Sequence, residues 1–159
     1  MKKVAHIFLG IVALILIVVA AAIGRSFVAG VKNPPLETGR AILGGEIFRV
    51  ELARTVGERA LGLSGRGDLG ERDGMLFIFG APAVHRFWMK DMLFPIDIIW
   101  INGGRIIGFA ENAQPEPGKR VWELAVYSPP EPAGMVLEVR AGTVARLGVN
   151  VGDNLEISL

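Results

Sequence analysis

A carboxylate set among isoleucines is the residue in this sequence with the most obvious chemical potential. Asp97 lies inside the apolar run Pro95–Ile101, where an ordinary core strand would carry no charge. Burying a lone carboxylate costs several kcal/mol, which is on the order of the whole stability of a small domain. Asp97 must therefore be paired with a cation, hydrogen-bonded, or placed at the edge of a cleft.

The segment just before Asp97 could form one wall of such a cleft. Aromatic rings, two methionines and charges of both signs stand close together in residues 86–92. Trp88 and Met89 would contact an apolar group of a ligand, and Arg86 and Lys90 would bind its negative end. In the competing structural interpretation, Trp88 packs in the core and Lys90 snorkels or pairs with Asp97. The candidate binding site comprises Arg66, Arg86, Trp88, Met89, Lys90, Asp91 and Asp97.

A catalytic role for the same residues is the alternative hypothesis, and we rank it below binding. Asp97 would act as a general base on a small substrate, and Lys90 would stabilise developing negative charge. A triad of Ser64, His85 and Asp97 is weakly supported, because the sequence around Ser64 lacks the G-x-S-x-G pattern of a nucleophile elbow. No residue is therefore assigned as catalytic. A structural accessory of an envelope complex is the third possibility.

Composition and motifs argue against several other classes of function. The sequence has no cysteine, so neither a thiolate nucleophile nor a disulfide is available. Beyond residue 25 the chain carries 14 basic and 16 acidic residues, a net charge of −2, whereas nucleic-acid binding needs a basic face. Gly65–Gly70 matches G-x-G-x-x-G, but no strand precedes it and no helix follows. We expect no nucleic acid, no cofactor and no metal site.

The first 25 residues predict a membrane anchor. Val4–Ile23 is apolar apart from His6, and as a helix it is long enough to cross a hydrocarbon layer about 30 Å thick. Lys2 and Lys3 before this run favour a cytoplasmic N-terminus. We expect a single-pass protein of the inner or cytoplasmic membrane, with its C-terminal domain outside the cytoplasm, in the periplasm or its equivalent. A cleaved signal peptide is the alternative, but the apolar run is longer than a typical signal core.

The rest of the chain predicts a linker over residues 26–45 and a β-rich domain over residues 46–159. Short alternating or apolar runs separated by turn residues indicate strands, two of them at Phe87–Lys90 and Arg120–Val126. Asn102-Gly103 is a strong hairpin signal, and Thr55 with Glu58 fits a capping box. Many short strands with two short helices predict a mostly β fold, a compact small barrel or sandwich. Both faces of Ile96–Ile101 are apolar, which indicates a strand covered on both sides.

Several motifs, in this order, resemble the family known as domain of unknown function 192. They are Gly62–Arg66, Gly74–Phe79, Phe87–Asp97, Glu111–Pro115, Val136–Thr143 and Val151–Asp153. The likeness runs from about Ile47 to the C-terminus. It implies a small β-rich domain, often exported or membrane-attached, and it implies no activity. The partner could thus be the membrane, an unidentified small molecule or an envelope protein.

The sequence departs from the family's pattern at two positions. Ser64 stands where the family usually has methionine, and Asp91 stands where it usually has asparagine. The second change places a charge beside Lys90. If the family's amide contacts a ligand, that contact is altered in this chain.

Overall fold

The computed structural model describes residues 35–159, which contain seven strands and two short α-helices. In chain order these are β1 Thr38–Leu43, β2 Glu46–Ala53, α1 Val56–Leu61, β3 Asp73–Ala83, β4 Ile96–Asn102, β5 Arg105–Ala113, a 3-10 turn at Val121–Glu123, β6 Ala133–Arg140, α2 Thr143–Leu147 and β7 Glu156–Ser158. No helix in this part of the chain is long and apolar enough to span a membrane. The anchor predicted over residues 1–25 lies outside the described residues.

The seven strands form one sheet in the order β5-β4-β6-β3-β2-β1-β7. Strands β2 and β3 are parallel and are joined through α1, and every other neighbouring pair is antiparallel. The sheet curls until the segment before β7 reaches the far edge strand: Leu155 N–H donates to Gly104 O at 2.9 Å, and Ile106 N–H donates to Asp153 O at 2.9 Å. The mostly β prediction is confirmed, with a half-barrel in place of a full barrel or a sandwich.

Alternation along β4 places apolar side chains on both faces of the sheet. Ile99 and Ile101 belong to an inner core inside the curl, together with Leu76 and Leu137. Ile98 and its even-numbered neighbours belong to an outer core under α1 and the loop after β3. The prediction of a strand covered on both sides is confirmed, and the outer core is the layer that supports the candidate site.

Three local predictions differ from the structure. β1 occupies residues assigned to the linker, because a Gly44-Gly45 turn with φ of +55° and +81° folds it back onto β2. Phe87–Lys90 is not a strand, since Phe87 forms a single bridge to Tyr127 and the chain then turns. Arg120–Val126 contains the 3-10 turn instead of a strand. In Phe87–Lys90 the side chains of Phe87 and Met89 pack against the outer core while the backbone stays outside the hydrogen-bond ladder of the sheet. In Arg120–Val126 the side chains of Val121, Trp122 and Val126 are exposed.

Two predicted local motifs are present, the capping box of α1 and the hairpin between β4 and β5. Thr55 Oγ1 accepts from Glu58 N–H at 3.2 Å, and the Glu58 carboxylate accepts from Thr55 N–H at 2.8 Å, which completes the capping box of α1. The hairpin between β4 and β5 is present, but its central residues are Gly103 and Gly104, at φ of +56° and +76°, and the predicted Asn102 instead ends β4 opposite Arg105. The capping box fixes where α1 begins, and α1 forms one side of the pocket described next.

Candidate functional site

An open pocket of about 290 Å³ lies on the outer face of the sheet, between α1 and the loop that follows β3. We call it the aromatic pocket and define it by its rings Phe77, Phe79, Phe87 and Trp88 and by Glu138 among its lining residues. Phe77 and Phe79 come from β3, and Phe87 and Trp88 come from the loop. The four rings thus come from one face of the sheet and from one loop. The pocket therefore depends on that loop being held against the sheet.

Edge-to-face ring contacts and one backbone bridge hold that loop in place. Phe87 lies edge-on to Phe77 with centroids 5.2 Å apart and to Phe79 with centroids 6.5 Å apart, both at an interplanar angle of 86°. The Phe87 N–H donates to Tyr127 O at 2.9 Å, and the Tyr127 N–H donates to Phe87 O at 2.8 Å. The adjacent Trp88 is 48% exposed at the pocket. The geometry thus leaves the indole in position to contact a ligand.

Two cationic or titratable side chains contact Phe79 at one side of the pocket. The Arg59 guanidinium of α1 lies 5.0 Å from the Phe79 ring centroid and donates to Ile78 O at 3.0 Å and to Arg54 O. His85 stacks on the same ring at 3.5 Å, and its Nε2 is buried without a hydrogen-bond partner. Burial, with a smaller contribution from the Arg59 charge, lowers the pKa of His85 below its usual value. His85 is therefore neutral at neutral pH.

Glu138 is a second buried acid that lines the aromatic pocket. It lies on β6 opposite Met75 of β3 and Ile98 of β4, and it is only 6% exposed. Within residues 35–159 its carboxyl group has no hydrogen-bond donor or cation as a partner, and burial alone raises its pKa to about 8. An acid with this pKa is mostly protonated at pH 7. Perturbed titratable groups of this kind concentrate at functional sites.

Asp97 is buried and hydrogen-bonded, which confirms that it must be partnered, but it does not line the aromatic pocket. Its Oδ1 accepts from Asn112 N–H at 2.8 Å and from Gly142 N–H at 3.2 Å, and its Oδ2 accepts from Val144 N–H at 2.9 Å. The carboxylate therefore caps the N-terminal end of α2 from a distant strand and ties it to the end of β5. Its geometry is that of a structural residue.

The other candidate residues go to several places. Arg86 and Trp88 line the aromatic pocket, whereas Met89 is 1% exposed in the outer core. Lys90 pairs with Asp91 rather than with Asp97, and both border a separate recess of about 270 Å³. Arg66 binds Glu51 through two hydrogen bonds of 2.6 and 2.7 Å, and that hydrogen-bonded carboxylate raises the pKa of Arg66. The structure thus brings Arg86 and Trp88 together in one pocket.

The two departures from the family pattern now have structural settings. Ser64 lines the aromatic pocket and donates its hydroxyl hydrogen to Lys90 O at 2.8 Å, so a methionine there would take up pocket space. Asp91 has φ of +55°, a left-handed conformation that asparagine tolerates well. The asparagine that the family resemblance implies at this position would suit the same backbone conformation.

Weaker hypotheses find no geometric support. Ser64 and His85 both line the pocket, but Asp97 is bound elsewhere, so the three residues do not form a triad. In residues 35–159 no three histidine, aspartate or glutamate side chains are grouped closely enough to hold a metal ion.

Comparison with known proteins places the chain in a family. The model of domain of unknown function 192, described as an "Uncharacterized ACR", matches residues 40–157. The chain belongs to this family. The resemblance predicted from its motifs is therefore confirmed, and the match extends into β1. None of the curated proteins compared with the chain matches it.

Two solved structures are similar to this domain of unknown function 192 protein. A protein from Sinorhizobium meliloti 1021, described as a "putative transcription regulator", is 36% identical with a TM-score of 0.70, and the match covers 79% of this chain and 97% of that one. A protein of unknown function from Novosphingobium aromaticivorans DSM 12444 is 34% identical with a TM-score of 0.70, covering 81% of this chain and 90% of that one. The match covers nearly all of both solved chains.

Sequence reasoning missed Glu138 and the rings of β3. The signal for Glu138 was present, because it interrupts the apolar run Met135–Val139 as Asp97 interrupts its own strand. The two acids differ in their surroundings. Backbone N–H groups donate hydrogen bonds to Asp97, whereas Glu138 lines a pocket.

Proposed function

We propose that this protein is a membrane-tethered, extracytoplasmic binding module whose aromatic pocket takes the apolar body of a small ligand. The observation that carries the proposal is the pocket itself, about 290 Å³ in volume, with Trp88 48% exposed beside it. Ligand sites are typically concave and mostly apolar, with a few polar groups that orient the ligand. The tether is the predicted helix of residues 1–25.

Arg86 and Glu138 are the polar groups that would orient the ligand. Arg86 is exposed, lines the pocket, and has no partner within the described part of the chain, so it is available to a negative substituent. Lys90 is already paired with Asp91 beside the other recess. The negative end of a ligand is thus assigned to Arg86, and Lys90 is not needed for it.

Ligand-observed NMR on the intact chain in a non-ionic detergent tests the binding proposal. We expect small aromatic compounds at millimolar concentration to give saturation-transfer signals that Trp88→Ala abolishes. Trp122→Ala is the matched control, because Trp122 is 75% exposed and lies outside the pocket. Ser64→Met, which restores the family's usual residue and fills pocket space, should also abolish the signals. Equal signals from all four proteins would refute the pocket as the binding site.

Membrane extraction tests the tether independently. We expect the intact chain to stay in the membrane fraction after alkaline carbonate extraction, because Val4–Ile23 is apolar over the thickness of a bilayer. External protease should digest the domain only after the outer barrier of the cell is opened. Release of the chain by carbonate, or digestion only after the cytoplasmic membrane is lysed, would contradict the proposed location.

The enzyme alternative built on Asp97 and Lys90 finds no favourable geometry. A general base must reach its substrate, whereas the Asp97 carboxylate is fully buried and accepts three backbone N–H groups. Lys90 contacts a different acid. We therefore propose binding alone.

A further inference from the structure

We infer that Glu138 binds the ammonium group of an organic amine whose apolar body occupies the aromatic pocket. This inference rests on the proposed function and names the class of ligand. It follows from three features of the pocket, namely an acid without a partner, ring faces beside it, and an unpaired arginine.

The first feature is the contrast between the two acids buried in the sheet. Asp97 is surrounded by three backbone donors that satisfy its charge. Glu138 is comparably buried, yet among residues 35–159 it finds neither a donor nor a cation, and it lines an open pocket. A buried acid without a partner keeps its proton, and its carboxylate form is stable only beside a cation or hydrogen-bond donors. Since the described chain supplies neither, a ligand cation in the pocket is the partner that the ionised form of Glu138 fits.

The second feature is the aromatic lining. Faces of tryptophan and phenylalanine attract ammonium and guanidinium groups, most strongly where water is excluded. The molecule already uses this attraction at the side of the pocket, where Arg59 lies over Phe79. Phe87 and Trp88 remain on the loop side. Aromatic rings and an acid that line one pocket are suited to a cationic group attached to an apolar body.

The third feature is the charge of the remaining lining residues. Among residues 35–159, the titratable or charged residues lining the pocket besides Glu138 are Arg59 on α1 and His85 and Arg86 on the loop, while β3 and β4 contribute only apolar side chains. Arg59 is held by Phe79 and two carbonyl groups. Arg86 would repel a simple cation weakly through solvent, and it would attract an acidic substituent on the amine. An amine that also carries an acidic group therefore fits best.

The direction of the pH dependence distinguishes an amine from other ligands. With a pKa of about 8, Glu138 holds its proton at pH 7, so binding of an ammonium group must release that proton to solvent. Affinity should then rise about tenfold from pH 7 to pH 9, while alkylammonium groups, which titrate near about 10, stay charged. A ligand that accepts a hydrogen bond from protonated Glu138 would show the opposite trend. His85 does not interfere, because its pKa lies below its usual 6.5.

Three probes of similar shape test the inference on the intact chain in non-ionic detergent: benzylamine, benzyl alcohol and benzoate. Isothermal titration at pH 7, 8 and 9 gives each affinity, and buffers of different ionisation enthalpy give the protons released. Because the ammonium group of benzylamine titrates only slightly above pH 9, we expect benzylamine to bind about sevenfold more tightly at pH 9 than at pH 7, with roughly 0.9 proton released at pH 7. Benzyl alcohol should bind with no such dependence.

Two variants separate the role of Glu138 from general effects of substitution. Glu138→Gln should weaken benzylamine binding at pH 9 at least tenfold and remove both the pH dependence and the proton release. It should leave benzyl alcohol within about threefold, which also shows that the pocket is intact. Glu111→Gln, at an exposed glutamate outside the pocket, is the matched control and should change nothing.

The outcomes distinguish failure of the inference from failure of the proposed function. If benzyl alcohol or benzoate binds and benzylamine does not, or if Glu138→Gln binds benzylamine as the wild type does, the pocket binds ligands but the amine inference is wrong. Affinity that falls from pH 7 to pH 9 would also overturn it. If none of the three probes binds to the wild type, the proposed function fails as well.

Discussion

Replacing Glu138 by glutamine should remove a pH dependence of folding stability that arises from one buried acid. Its pKa is about 8 in the folded protein and 4.5 ordinarily, so between these values the folded state keeps a proton that the unfolded state has lost. The contribution of Glu138 to stability is therefore greatest below about pH 4.5 and falls as pH rises through this window, by up to about 1.4 kcal/mol per unit. Above pH 8 both states are ionised and the loss is complete.

The expected size of the effect is measurable. Between pH 5 and pH 8 the linkage relation gives a loss of about 3–4 kcal/mol from Glu138 alone, against a total stability of about 5–15 kcal/mol for a domain of this kind. The glutamine amide, buried without a partner, lowers stability by an amount that does not change with pH. The prediction therefore concerns how the difference in free energy of unfolding between the two proteins changes with pH. The size of that difference at any one pH does not test it.

Urea unfolding of the intact wild type and of Glu138→Gln at pH 5, 6.5 and 8 measures this difference. Groups common to both proteins cancel, including His85 and Glu58, whose pKa values are lowered by burial and by backbone hydrogen bonds respectively. Glu111→Gln is the control and should follow the wild type. If the free energies of unfolding of Glu138→Gln and the wild type run parallel from pH 5 to pH 8, the carboxyl group is not desolvated as the structure shows, and the reasoning is refuted.

Substitutions at three further positions test the structural residues. Asp97→Leu leaves one buried and two partly buried N–H groups without an acceptor, and it should lower the free energy of unfolding by about 3–6 kcal/mol. Asp97→Asn keeps an acceptor for two of them and should lose about 1–3 kcal/mol; equal urea midpoints would show an unpartnered Asp97. At Asp91, with φ of +55°, asparagine should match the wild type within about 0.5 kcal/mol and valine should lose about 1–2 kcal/mol, as judged by thermal melting. Gly74→Ala places a Cβ 2.9 Å from the backbone oxygen of Glu138, so it should lower the melting temperature by an amount equivalent to about 1–3 kcal/mol; an unchanged value would contradict that close approach.

Local signals predicted much of this fold because they act over a few residues. The capping box at Thr55, the hairpin after β4 and the doubly covered strand Ile96–Ile101 each depend on side chains close together in sequence. The prediction of secondary structure failed for segments whose conformation depends on whether a distant strand pairs with them. β1 becomes a strand because β2 lies beside it, and Phe87–Lys90 stays out of the ladder because it covers the sheet face.

The sequence by itself determined that Asp97 needed a partner, because burying an unpaired charge is too unfavourable for a small domain. It also determined that aromatic and charged residues gather in the loop before β4. Only the tertiary structure decided that the partner is the backbone at α2 and not Lys90 or an arginine. Likewise it decided that the acid facing a pocket is Glu138, because two acids in similar apolar strands differ only in what the folded chain places around them.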